Sequence, residues 1–392
     1  MLTTLSDRIA TLTGMSDSSL LPVSSYAHRL AEAARLAADV GVDLLMVSPG
    51  PDLEYLIGSR AQTFERLTVL VVPSAVGAQP FVVVPQLELA SLSESAAGAL
   101  ELPLHPWVDG ADPYALALAD AGANPVVAVS DSMPALHLVP IAQRIGTTPR
   151  LATAVLRELR MIKDATEIAA LREAGAAIDR VHARMGEFLV PGRTEHEVAD
   201  DIAAAIVAEG HTSAAFVIVG SGPHGADPHH EYSERVIGAD DVVVIDIGGP
   251  VPTGYNSDST RTYCFGEPPA DVAAAIAVLE RAQIAATAAV RPGVSAESVD
   301  AAARDLLAQA GLADAFIHRT GHGIGLSVHE EPYIVGGNDI ALRPGMAFSI
   351  EPGIYFPGKW GARIEDIVIV TDDGCESVNK RPRGLTVLPA KS

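Results

Sequence analysis

The sequence predicts an α/β (α+β) chain of two domains, the second of them internally duplicated. Three patterns predict it. Short apolar runs alternate with helical stretches over the first 150 residues, a helix signature occurs twice in the second half, and an acid-bearing strand pair follows each occurrence.

From Ser24 to about Arg150 a helix through YAHRLAEAARLAADVG is followed by the runs VDLLMVS, LTVLVVPS, PFVVVP and PVVAVS, with Ala/Leu-rich stretches between them. That alternation predicts an α/β domain over residues 1–155. It holds no cluster of Asp, Glu and His of ligand type, so packing, assembly or pocket walls are its expected contribution. The segment LRELRMIKDATEIAALREAGAAIDRVHARMGEFL reads as helix, with Ile168, Leu171, Ile178, Met185 and Leu189 roughly on one face. The domain junction is placed just before it, which leaves residues 156–392 for the second domain.

Within that domain PGRTEHEVADDIAAAIVAEG (191–210) and PGVSAESVDAAARDLLAQAG (292–311) align without gaps at an offset of 101 residues. Each opens on Pro-Gly, offers Thr194 or Ser295 as an N-cap and stops at Gly210 or Gly311. After each comes an apolar run and then a strand pair bracketing a Gly/Pro-rich stretch. The first pair, VVVID to TRTYCF, carries Asp246 and Asp258; the second, MAFSIE to ARIEDIVIV, carries Glu351 and Glu365. His322 lies between them. A duplicated helix-plus-hairpin unit puts equivalent acids around a pseudo-two-fold axis.

Four carboxylates gathered in an interior would each cost several kcal/mol or take up a proton unless cations neutralise them. Any one acid alone reads as a solvated turn or strand edge, but the matched duplication makes that improbable for the set. Two divalent ions balance the charge. Oxygen donors with one imidazole favour Mn²⁺, with Co²⁺ or Zn²⁺ as substitutes. A hydroxide held between two such ions, about 3.5 to 4 Å apart, can attack a carbonyl, so hydrolysis is the expected reaction.

Composition bounds the partners. At 392 residues, 48% hydrophobic and 19% charged, the chain has apolar material for two cores. A net charge of -22 argues against nucleic acid or an anionic membrane. The N-terminus reads as lacking a leader, and no stretch reads as approaching the ~20 apolar residues of a membrane span, so a cytoplasmic location is expected. Cys264 and Cys375 give no disulfide framework and read as buried structural thiols.

The motifs DIGG, NSDSTRTY, HRTGHGIGLSVHEEP, FSIEPGIY and RIEDIVIVT, in this order, resemble the prolidase, aminopeptidase P and methionine aminopeptidase family, whose catalytic domain has the pita-bread fold. RMIKDATEIAALREA resembles the helix opening that domain, and DLEYLIGS a segment of the creatinase-type N-terminal domain, so the resemblance covers nearly the whole chain. It implies Asp246 chelating one metal, Asp258 and Glu365 bridging both, and His322 with Glu351 on the second. It also implies catalytic roles for His229, His329 and Glu351, with His229 and His329 hydrogen-bonding the substrate carbonyl or moving protons. His229 has His230 as its neighbour, and His224, His230 and His318 are read as structural. Arg363 is expected to orient the bridging acids and to pair with Asp258 or a substrate carboxylate. The interval from Asp246 to Asp258 is one residue longer than is usual for the family, which is read as an extended hairpin loop.

The creatinase-type N-terminal domain disfavours methionine aminopeptidase, and a complete ligand set disfavours creatinase and non-catalytic binding homologues. What remains is hydrolysis of peptides with proline in second place, foremost as an Xaa-Pro dipeptidase, with aminopeptidase P acting on longer chains as the alternative and a non-catalytic peptide- or partner-binding protein as a different class. Tyr333 follows HEEP where many prolidases carry an arginine suited to a dipeptide's carboxylate; its phenol is expected to take that role. The resemblance also implies a homodimer.

Overall fold

The computed structural model describes residues 21–62 and 65–389, in two compact units divided between Leu159 and Arg160. The expectation about a leader falls on the N-terminal twenty residues, outside those described.

The first unit is built on a six-stranded sheet in which four runs read from the sequence become β1 (Leu44–Val47), β2 (Val69–Pro73), β3 (Phe81–Pro85) and β5 (Val127–Val129). Two further strands, β4 (Leu104–Trp107) and β6 (Arg150–Leu151), take the sheet edges in the order β4-β3-β2-β1-β5-β6. Both carry exposed residues, and an edge strand half open to solvent has no continuous apolar run to betray it. The helix Val23–Asp39 buries Leu30, Ala33 and Ala37 on one stripe.

The stretch expected as one helix from residue 156 is broken. One helix runs Thr153–Met161; Ile162 then bridges to Met346, and Asp164 starts the helix Ala165–Ala183 with a capping box to Glu167. An aspartate that accepts from two backbone amides stabilises a new N-terminus more than it tolerates a helix interior. Past the break the helix ends at Ala183 and a short helical turn runs Met185–Phe188; Leu171, Ile178, Met185 and Leu189 of the predicted face are buried and Ile168 is half-buried.

The duplication shapes the second unit. Helix Glu195–Ala208 is capped by Thr194 in a box with Glu197, and Gly210 ends it at φ 114°. Its counterpart Ala296–Gln309 has Ser295 at the cap position, but the Ser295 hydroxyl bonds Ser298 Oγ at 2.8 Å and caps no backbone amide. Thr194 bridges Val236, and Ser295 bridges Ala341, at equivalent places in the two halves.

A four-stranded sheet is formed by β7 (Phe216–Ser221), β8 (Val242–Pro250), β9 (Asn256–Phe265) and β17 (Thr386–Leu388). A five-stranded sheet is formed by β10 (Gly321–Gly323), β11 (Glu330–Ile334), β12 (Ala347–Ile350), β15 (Asp366–Val370) and β16 (Cys375–Ser377). Ile178, Val198, Ile202 and Ile206 pack helices onto the first sheet through Val243, Ile245, Tyr263 and Phe265. Val272, Ile276, Val299 and Leu307 do the same on the second through Phe348, Ile350, Val368 and Val370.

One helix, Ala270–Ala289, has the length and hydropathy to cross a membrane, against the expectation that no stretch approaches a span. Alanines supply much of that hydropathy. The helix puts Val272, Ile276, Leu279, Ala282 and Ala286 into the core and carries Glu280 and Arg281 at mid-length, which is the pattern of a core helix. Cys264 is buried and Cys375 half-buried; both are free, and burial pushes both thiols up.

Candidate metal centre

β8 and β9 pair without a break from Val242 opposite Cys264 to Pro250 opposite Asn256, so the extra loop residue is absorbed beyond the ladder. Asp246 lies opposite Thr260, and Gly248 opposite Asp258. With a side-chain period of two, Asp246, Asp258 and Thr260 share the face away from the helices, whose contacts are made by Val243, Ile245 and Tyr263.

The second pair of acids is held differently from the expected simple hairpin. β12 pairs with β15 directly, while β13 (Gly353–Phe356) and β14 (Trp360–Arg363) form a separate hairpin nested between them. Glu351 and Glu365 occupy the two crossing points where the chain leaves one sheet and returns. Glu351 N donates to Thr320 O at 2.7 Å, and Glu365 N donates to Thr260 O at 3.1 Å, which sets both carboxylates facing the first pair.

His322 comes from β10. Gly321 lies so close to β12 that a Cβ there would fall 1.9 Å from Ser349 O, and this approach delivers the imidazole to the acids. His322 Nε2 is 3.2 Å from Glu351 Oε1 and 3.6 Å from Asp258 Oδ2, while its Nδ1 faces Gly323 O at 3.1 Å. Ser349 Oγ donates to Glu351 Oε1 at 3.0 Å.

The donor atoms of Asp246, Asp258 and Glu365 lie within 4.8 Å of one another, as do those of His322, Glu351 and Glu365, and those of Asp258, His322 and His329. Two of these groups share Glu365. Burial, then the charge of Asp246, raises the pKa of Asp258; burial, then Asp258, raises that of Glu365. Burial pushes Glu351 upward too, but the hydrogen bond and charge of His322 prevail and lower it, and the acids in turn raise His322 against its own burial. Asp246 Oδ1 and Glu365 Oε1 are buried with no hydrogen-bond partner among the described residues. Orphaned carboxylate oxygens inside an acid cluster are what divalent cations satisfy. The donor set therefore fits them.

Residues 169–372 match Metallopeptidase family M24. The chain belongs to this family. It is similar to the probable dipeptidase PepE of Mycobacterium tuberculosis, 67% identical over 93% of this chain and 97% of that protein. It is also similar to the Xaa-Pro dipeptidase of Lactobacillus helveticus, 32% identical over 90% and 97%. The crystal structure of dipeptidase PepE from Mycobacterium ulcerans superposes with a TM-score of 0.91 at 63% identity, covering 94% and 99% of the two chains. This M24 chain is thus a pita-bread peptide-bond hydrolase, and membership of a metallopeptidase family implies divalent metal.

The remaining expected residues fall around this M24 centre in unequal ways. The His329 ring meets His322 edge-on at 4.1 Å, and burial, then the charges of His322 and Arg319, depress its pKa to about 4. His229 is exposed, and its charge acts on both His318 and His329. Its neighbour His230 turns away, with Nε2 2.9 Å from Glu195 Oε2 beside His224, so the pair is told apart by geometry. Arg363 is 2% exposed and donates to Asp246 Oδ2 at 2.7 Å, not to Asp258; its other donors go to Thr260 Oγ1, Tyr355 OH and Pro228 O. With each guanidinium nitrogen engaged, Arg363 has no fork left for a substrate carboxylate. Tyr333, on β11, lies under the guanidinium of Arg319.

Thr260, Ser349 and Tyr355 escaped the sequence reading although each touches a site residue. The first two stand two positions from an acid, and that period of two was the available signal. Nothing local marks Tyr355, which burial raises to about 12 and whose oxygen accepts from Arg363.

Proposed function

We propose that this protein is an Xaa-Pro dipeptidase using two divalent ions, Mn²⁺ foremost, held by Asp246, Asp258, His322, Glu351 and Glu365. These five side chains would hold the ions between the two acid pairs, with His322 as the single imidazole donor. The observation that carries it is the pair of orphaned buried oxygens, Asp246 Oδ1 and Glu365 Oε1, inside a five-residue donor set. Similarity to the Xaa-Pro dipeptidase of Lactobacillus helveticus supports the substrate class. When bound, the ions supply Lewis acidity toward the scissile carbonyl and a water acidified for attack.

The chain's own residues do the rest. Arg363 orients Asp246, and Thr260 Oγ1, donating to Glu365 Oε2 at 2.8 Å, orients Glu365. Glu351 receives the proton of the attacking water. His229 and His329 donate to the substrate carbonyl as negative charge develops on its oxygen. The tertiary amide before proline has no N–H, so the pocket needs apolar walls and no acceptor at that nitrogen; the loop after His329, with Tyr333, supplies one. Oxygen-rich ligation supports Mn²⁺ over a thiolate-type zinc site. Two free cysteines support a cytoplasmic location, and family resemblance supports a homodimer.

Metal content and rates on Ala-Pro, Ala-Pro-Ala and Met-Ala, measured on one preparation, test the reading. Two ions per chain and preference for Ala-Pro are expected. Tripeptides cleaved far faster than dipeptides would establish aminopeptidase P chemistry instead, and full metal with no turnover on any of them would leave a binding protein.

A further inference from the structure

Resting on that reading, a dipeptide presents a free carboxylate one residue beyond the bond that is cut. A site that selects dipeptides over longer chains needs a cation there. The obvious cations around the centre are committed. Arg363 is consumed by Asp246 and Tyr355, Arg261 is paired with Asp366 at 2.7 Å, Arg304 with Asp300 at 2.9 Å, and Lys163 with Glu330 at 2.6 Å, where Arg160 joins it.

Arg319 differs. It sits three residues before His322, half-buried at the entry to β10, and among the described residues no carboxylate pairs with it. Its guanidinium carbon stands 4.5 Å from the centroid of the Tyr333 ring. Tyr333 is itself pinned at both backbone ends: its N donates to Glu331 Oε2 at 3.3 Å, and its O accepts from Asn338 Nδ2 at 2.6 Å. The ring is thus a fixed platform. A guanidinium lying on an aromatic face keeps its in-plane N–H donors free while its orientation is held. Arg319 precedes His322 by three residues and Tyr333 follows His329 by four, and the His322 and His329 rings meet edge-on at 4.1 Å, which ties the Arg319–Tyr333 pair to the side of the centre where the substrate carbonyl is handled.

We propose that Arg319, held on the face of Tyr333, binds the C-terminal carboxylate of the dipeptide, and that Tyr333 acts through its ring more than through its hydroxyl. Arg319 is then the residue that determines dipeptide specificity, with Tyr333 positioning it. A bidentate Arg–carboxylate contact explains selection by charge and by length at once, since a longer peptide carries a neutral amide where the fork expects two oxygens.

The test compares Ala-Pro with its C-terminal amide on the Mn²⁺-loaded protein, for the unaltered chain and for Arg319→Gln, Arg319→Lys, Tyr333→Phe and Tyr333→Ala. Metal content and thermal midpoint establish that each variant is folded. Arg319→Gln should cut the preference for acid over amide by about 10- to 100-fold, mainly through KM, as expected for loss of a charged hydrogen bond. Arg319→Lys should restore part of it, Tyr333→Phe should keep it, and Tyr333→Ala should lose much of it. An unchanged preference in Arg319→Gln, or an equal loss in Tyr333→Phe, overturns the assignment. If the unaltered protein cleaves Ala-Ala and leaves Ala-Pro intact, the proline reading fails by itself, and the same ratio on Ala-Ala and its amide still decides the role of Arg319.

Discussion

Thr260 and Glu365 are joined twice: Thr260 Oγ1 donates to Glu365 Oε2 at 2.8 Å, and Glu365 N donates to Thr260 O at 3.1 Å. The two residues belong to opposite halves of the duplication, and Arg261 next door reinforces the seam by donating to Glu365 O and Asp366 Oδ1. Glu365 Oε2 is thereby fixed, while Oε1 is buried with no hydrogen-bond partner among the described residues.

Glu365→Gln is therefore expected to remove a shared ligand while leaving the anchor to Thr260. Metal stoichiometry by elemental analysis should fall below two, with a loss of affinity beyond the roughly 10- to 100-fold of an outer-sphere change. Turnover should vanish with it. Retention of both ions at native affinity would remove Glu365 from the ligand set.

His229→Ala and His329→Ala should behave in the opposite manner. Both variants should keep two ions, and kcat should fall by about 100- to 1,000-fold as for loss of an oxyanion donor. Metal loss in either one would make that histidine a ligand, a result most informative for His329, whose ring touches His322.

Gly321→Ala probes how His322 is delivered. A methyl group 1.9 Å from Ser349 O must push β10 away from β12. Destabilisation at or above the upper end of the about 1–3 kcal/mol typical of overpacking is expected in urea unfolding, together with weakened metal binding. A variant of native stability and metal content would show that β10 has room to shift without moving the imidazole.

His182 gives a pH signature independent of the metal. It is 2% exposed, and burial, then the charge of Arg261, lower its pKa to about 3. The folded pKa lies below the ordinary value near 6.5, so between pH 6.5 and 3 the unfolded chain binds a proton that the native chain refuses. Stability falls as pH drops through that window, by on the order of 4 kcal/mol at its lower end, and levels off below it. His182→Gln should flatten the slope of unfolding free energy against pH over this range, measured on metal-free protein. An equal slope in both proteins would mean that His182 titrates normally.

The duplication, the helix caps at Thr194 and Gly210, and the face carrying Asp246 and Asp258 were all legible in the chain, because each rests on a short local signal: a spacing of two on a strand, a capping box, a glycine stop, a gapless offset. Edge strands such as β4 and the break at Ile162–Asp164 were not, since an exposed edge has no continuous apolar run and the bridge from Ile162 to buried Met346 outweighs helix propensity. What only tertiary structure decided concerns groups whose partners lie far along the chain. It set Arg363 on Asp246 in place of Asp258, put His230 on Glu195 and left His229 exposed. It carried Glu351 and Glu365 to the crossing points of a nested hairpin and laid Arg319 over Tyr333. A side chain's residue type limits what it can bind, but which of several equivalent carboxylates or rings it meets depends on how sheets separated by a hundred residues come together, and no local pattern encodes that distance.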